Sequence, residues 1–129
     1  GRLQERVLKI AGEKKGRSNV RLVENYYYEL AVECMSEQME LALVYPEELE
    51  KLRQEGAEKW KELYETLYWY LRMKRNVAST AARMKMHRNT LLYRIGRLNE
   101  IMKVDEMEGA ECERILLVME VERRKNAPF

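Results

Sequence analysis

Apolar side chains recur at three- and four-residue intervals along most of the chain, while strand-like alternation is scarce, which predicts an all-α protein. Leu3, Val7, Leu8 and Ile10 mark a short first helix that fades between Gly12 and Gly16, where the Lys14-Lys15 pair and the two glycines favour a loop. Val23, Tyr27, Leu30, Cys34 and Leu41 space a longer helix over about 22–44, although Tyr26-Tyr27-Tyr28 would also suit a strand. Pro46 closes that run and opens the next, because proline fits the first helical turn and Glu47 and Glu48 complement the positive end of the helix dipole. Gly56 ends this short helix. Trp60, Leu63, Tyr64, Leu67, Tyr70 and Leu71 then follow i, i+3, i+4, i+7 spacing and predict a strongly amphipathic helix to about Lys74.

Asn76 is placed to cap a helix over Val77 to Met84, its side-chain oxygen accepting from the N–H of Ala78 or Ser79. Ala78, Ala81 and Ala82 are small enough for another helix to cross closely. Lys85-Met86-His87 make a tight connection, with Met86 filling the angle between helices, and a second helix runs from about Arg88 to Met102. A final stripe of Cys112, Ile115, Leu116 and Met119 leads to a helix that frays in Arg123-Arg124-Lys125 before Pro128. The expected organisation is a helical segment over 1–44, serving as linker or dimerisation region, followed by a multi-helix bundle over 45–129. Within the bundle, Trp60, Tyr64, Tyr68 and Trp69 are expected to pack as core or interface rather than to line a ligand pocket.

Composition narrows the class further. With 46% hydrophobic and 36% charged residues, and only eight Gly and Pro together, the chain is expected to fold into one or two small globular units. No uncharged apolar stretch approaches the eighteen or so residues of a membrane span, so no membrane association is expected. The start, Gly1-Arg2-Leu3-Gln4-Glu5, has neither an initiator Met nor an apolar signal segment, as expected of a piece cut from a longer chain. Cys34 and Cys112 lie far apart in helical patterns and are expected to be reduced, placing the protein in the cytoplasm. His87 is the only histidine, so no metal site and no cofactor are expected. Catalysis is not expected either: there is no phosphate-cradling glycine loop and no HExxH-type spacing, and no cysteine stands near His87 in sequence.

Net charge is only +2, but it is unevenly distributed. Residues 72–103 hold nine Lys and Arg against one acid, Glu100, a local charge of +8, so the remainder carries −6. A charge run of this kind is often just a solvated helix face, and the pattern inside it must decide. Projection at about 100° per residue gathers Leu91, Ile95, Leu98 and Met102 on one face of the second helix. Opposite them fall Asn89, Tyr93, Gly96, Arg97 and Glu100, with Thr90 beside them and Arg88 and Arg94 on the flanks.

That outward face suits a DNA major groove, where Arg donates twice to guanine and Asn pairs with the adenine edge. Arg88, Asn89, Thr90, Tyr93 and Arg97 are the base-reading candidates. Ser79, Thr80, Lys85, His87 and Arg94 are the phosphate candidates, helped by free N–H groups at the helix start. Several have plainer roles open to them: Thr90 can back-bond within its helix, Tyr93 can pack on a neighbour, and His87 can serve only as an N-cap.

The run from Asn76 to Leu98, above all His87-Arg88-Asn89-Thr90-Leu91 followed by Tyr93-Arg94, closely resembles the C-terminal helix-turn-helix of the PucR/CdaR family of bacterial transcription regulators. The resemblance covers roughly residues 45–120 and extends more distantly to the Fis-like helix-turn-helix. It implies a DNA-reading module at the end of a longer regulator of catabolism, with a recognition helix from Arg88 through Met102 and an effector sensed upstream. Two positions depart from the pattern: Lys85 stands where many such turns have Gly, and Gly96 replaces an expected basic residue. The function expected is therefore sequence-specific binding of double-stranded DNA, as a homodimer with two recognition helices one DNA turn apart. The alternative is a helical interaction module whose basic face docks an acidic protein partner.

Overall fold

The computed structural model describes residues 19–38 and 45–126, and among them every regular element is helical. The helices are α1 (Asn19–Gln38), α2 (Glu47–Gly56), α3 (Trp60–Arg72), α4 (Val77–Met84), α5 (Arg88–Met102) and α6 (Gly109–Asn126). Single 3-10 turns follow α2, at Ala57–Lys59, and α5, at Val104–Glu106. The helix expected over Leu3 to Ile10 and the loop between Gly12 and Gly16 lie outside the described residues. The all-α expectation holds, and the tyrosine run 26–28 is helical rather than extended. No helix among the described residues is long and apolar enough to cross a membrane.

Two compact units divide the chain, one over 41–119 and the other combining 1–40 with 120–129. In the latter, Leu30, Val32 and Val121 are buried. A boundary at 44/45 would place all of α6 with the bundle, whereas this division assigns the helix beyond Met119 to the other unit.

The unit over 41–119 is organised around α5, which packs against α2, α3 and α4. Its core joins Leu49 and Leu52 of α2, Leu63, Leu67, Tyr68, Tyr70 and Leu71 of α3, Leu91, Ile95, Leu98, Ile101 and Met102 of α5, and Ile115, Val118 and Met119 of α6. Leu67, Leu91 and Leu98 are completely buried, and each such side chain contributes about 1.5–3 kcal/mol relative to exposure. Pro46 and the glutamates behind it start α2 as anticipated. Gly56 ends it at a close approach: a Cβ there would stand 3.0 Å from that of Trp60. Outside the sequence stripes the core also takes in Ile101, Val104 and Met107, where the chain leaves α5.

Candidate nucleic-acid interface

The short helix α4 begins and ends by recognisable local chemistry. Asn76 accepts from the Ser79 N–H at 2.8 Å, one of the two partners anticipated for this cap. Val77, Thr80, Ala81 and Met84 form its inward face at i, i+3, i+4, i+7. Thr80 corrects a sequence expectation. It is fully buried, and its hydroxyl donates to the Asn76 carbonyl at 2.7 Å, which removes it from any phosphate. Ala78 and Ala82 are exposed, so the close crossing of α4 over the core rests on Ala81 and Thr80 rather than on all three alanines. Ser79 is exposed, as a phosphate contact requires.

The connection to α5 is a Schellman closure. Lys85 N–H donates to Ala82 O at 3.3 Å and Met86 N–H to Ala81 O at 3.1 Å, which satisfies carbonyls left open at the helix end. This geometry requires left-handed backbone at Lys85, with φ 53° and ψ 46°. The missing glycine therefore does not abolish the turn; lysine adopts the glycine conformation at a cost of about 1 kcal/mol. Met86 packs against the core, in the angle assigned to it from sequence. His87 then caps α5, its ring Nδ1 accepting from the Asn89 N–H at 3.0 Å. An accepting Nδ1 is unprotonated, which puts the proton of the neutral ring on Nε2, where it can donate outward.

Beyond this cap the candidates separate. Arg88, Asn89, Thr90 and Tyr93 are all exposed in the first two turns of α5, Tyr93 at 78%. With Lys85 and His87 in the connection and Ser79 on α4, they include most of the residues named from sequence. Leu92 belongs with them and was overlooked by the sequence reading: it is 40% exposed on the same face. Projection alone places it about 90° from the buried stripe, on the flank between Arg88 and Gly96. Gly96 has open space around it, with nothing within 4 Å of where a Cβ would be.

Two arginines of α5 are differently placed. Arg97 donates through Nη2 to Glu55 O at 2.9 Å, at the end of α2, and through Nη1 to Glu100 at 3.0 Å. The guanidinium thus bridges α5 to the end of α2 while its side chain stays 39% exposed, unlike the base-reading candidates of the first two turns. Arg94 lies 3.7 Å from Glu62 of α3 with its side chain only 24% exposed, a position on the flank of the helix rather than at its open face.

The far end of α5 is anchored by a polar cluster. Asp105 accepts from the Tyr70 hydroxyl at 2.7 Å and from Asn99 Nδ2 at 2.8 Å, while its own N–H donates to Asn99 Oδ1 at 2.9 Å. Arg75, itself left-handed with φ 60°, donates through Nη1 to Met107 O at 2.8 Å and Val104 O at 3.2 Å. Burial, reinforced by the Asp105 carboxylate that its hydroxyl donates to, pushes the Tyr70 phenol well above its ordinary value. Arg75 was counted in the basic run, but its partners are carbonyls about thirty residues away, which spacing alone does not reveal.

A short helix, a three-residue turn and a longer helix with an exposed, donor-rich first half constitute a helix-turn-helix. Residues 63–121 match the family model of the PucR C-terminal helix-turn-helix domain, in agreement with the resemblance read from the sequence. No curated protein and no solved structure matched the chain.

Proposed function

Because residues 63–121 match the PucR C-terminal helix-turn-helix domain, we propose that this chain is the DNA-binding part of a transcription regulator that recognises a specific double-stranded sequence. The observation that carries the proposal is the exposed first half of α5, where Arg88, Asn89, Thr90 and Tyr93 stand clear of the protein core just behind a capped helix start. Arg88 and Asn89 are the base readers of this proposal, since their donors match guanine and adenine edges in the major groove. Ser79, Lys85 and His87 hold phosphates. Arg94 contributes only if it exchanges Glu62 for the DNA backbone.

The remaining features of the proposal concern the whole regulator. It acts in the cytoplasm of a bacterium and controls a catabolic operon in response to an effector bound upstream. It binds as a homodimer, so that two copies of α5 enter half-sites one helical turn apart. Neither a cofactor nor a catalytic step is needed for this function.

Selection from a random duplex pool tests the proposal, followed by affinity measurements on the recovered site against salt. A palindromic site is expected, with log K falling on log salt by about 0.9 for each phosphate neutralised by a cation. Absence of duplex binding at low salt would favour the acidic protein partner. Recovery of a single asymmetric half-site would retain DNA reading but remove the dimer.

A further inference from the structure

The outward face of α5 contains an apolar strip that hydrogen bonding does not explain. Leu92 is 40% exposed and its neighbour Tyr93 is 78% exposed, in a helix whose other large apolar side chains, Leu91, Ile95, Leu98, Ile101 and Met102, are all buried. Helical spacing sets Leu92 one turn beyond Arg88 and Asn89, at i+4 and i+3, and one turn before Gly96. The row Arg88, Leu92, Gly96 thus runs from a cation through a branched alkyl group to an empty position with nothing within 4 Å. The exposed part of this leucine gains nothing from folding. Flanked by donors and followed by a gap, it is placed to be desolvated by whatever the first half of α5 enters.

We infer that Leu92 is a specificity-determining residue that packs on the C5-methyl group of a thymine in the DNA major groove. The inference rests on the DNA-binding function proposed above and adds to it a base that no hydrogen-bonding candidate reads. Among the four bases the C5-methyl of thymine is the apolar feature of the major-groove edge, so an alkyl side chain discriminates for it and against the polar edge of cytosine or guanine. The bare backbone at Gly96 lets the next turn approach the DNA without a side chain holding Leu92 off. Lys85 and Arg88 supply the positive charge that draws this face toward phosphate.

Replacing individual thymines by deoxyuridine tests the inference, because this removes the methyl group and leaves the pairing and the O4 acceptor unchanged. Wild type should bind the selected duplex about fourfold more tightly than its deoxyuridine derivative at one position per half-site, equivalent to about 0.8 kcal/mol for one methyl. Leu92→Ala should bind both duplexes equally, with an affinity close to that of wild type for the deoxyuridine duplex. Its helix content and melting temperature report whether the fold is intact. The inference is overturned if no thymine position is sensitive, if Leu92→Ala keeps the same sensitivity, or if the recovered half-site has no A·T pair. Failure to recover any site would overturn the DNA reading itself, a result distinct from a site that is bound but indifferent to the methyl.

Discussion

The two halves of α5 carry the same kind of residue and use it in opposite ways. In the first half, Arg88 is exposed beside Asn89 and Thr90. In the second, Arg97 is held by Glu55 O and Glu100, and the helix end is tied down through Asn99, Asp105, Tyr70 and Arg75. A free guanidinium is available to a ligand, whereas one that already donates to a backbone carbonyl contributes to rigidity. The +8 of residues 72–103 is thus shared between a recognition surface and the scaffold that aims it.

Breaking the scaffold should have the largest effect. Arg75→Ala removes charge-assisted bonds to the carbonyls of Val104, which is fully buried, and Met107. It should lower unfolding free energy by about 3 kcal/mol in urea titration. Binding by the fraction that remains folded should change much less.

The comparison is sharpest between two arginines of one helix. Arg88→Ala should lose about 2 kcal/mol of affinity for the selected site and relax preference at one base pair, with stability unchanged. Arg97→Ala should cost about 1 kcal/mol of stability and leave base preference as it was. Competition binding against single-base variants, paired with denaturation curves, separates the two, and a loss of base preference in Arg97→Ala would return that residue to the reading face.

Lys85→Gly tests the turn that joins the halves of the motif. Relief of left-handed strain should raise stability by about 0.5–1 kcal/mol. If Lys85 holds a phosphate as proposed, its loss should reduce the salt slope of DNA binding by about 0.9. An unchanged slope would mean that Lys85 serves the turn alone.

The smallest effect lies at alkaline pH. Tyr70 is held protonated in the fold, above its ordinary value, whereas in the unfolded chain it ionises near pH 10. Its raised native value therefore contributes stability that is fully present below about pH 10 and is lost as pH rises through the native value. The stability difference between wild type and Tyr70→Phe should shrink above pH 10 in urea titrations at fixed ionic strength. A constant difference would show that the Tyr70–Asp105 contact does not favour the protonated phenol.

Local chemistry made much of this legible in the chain. The limits of α4 and α5, the Asn76 cap, the packing of Met86 and the buried stripe of α5 all depend on interactions within about four residues, which propensity and periodicity report directly. Even Thr80 was readable, since Val77, Thr80, Ala81 and Met84 share one helical face; assigning it by its hydroxyl rather than by its position placed it on the wrong side. Leu92 was missed for the converse reason, an apolar residue at an outward position.

By itself, then, the sequence determined the helices, their caps and the exposed start of the recognition helix. Tertiary structure decided which cations remain available there. Arg97 meets a carbonyl 42 residues away in sequence, Arg94 an acid on another helix, and Arg75 a turn beyond α5. A guanidinium on a long side chain takes whichever acceptor the packing brings near, and no local rule identifies that acceptor before the helices are in place.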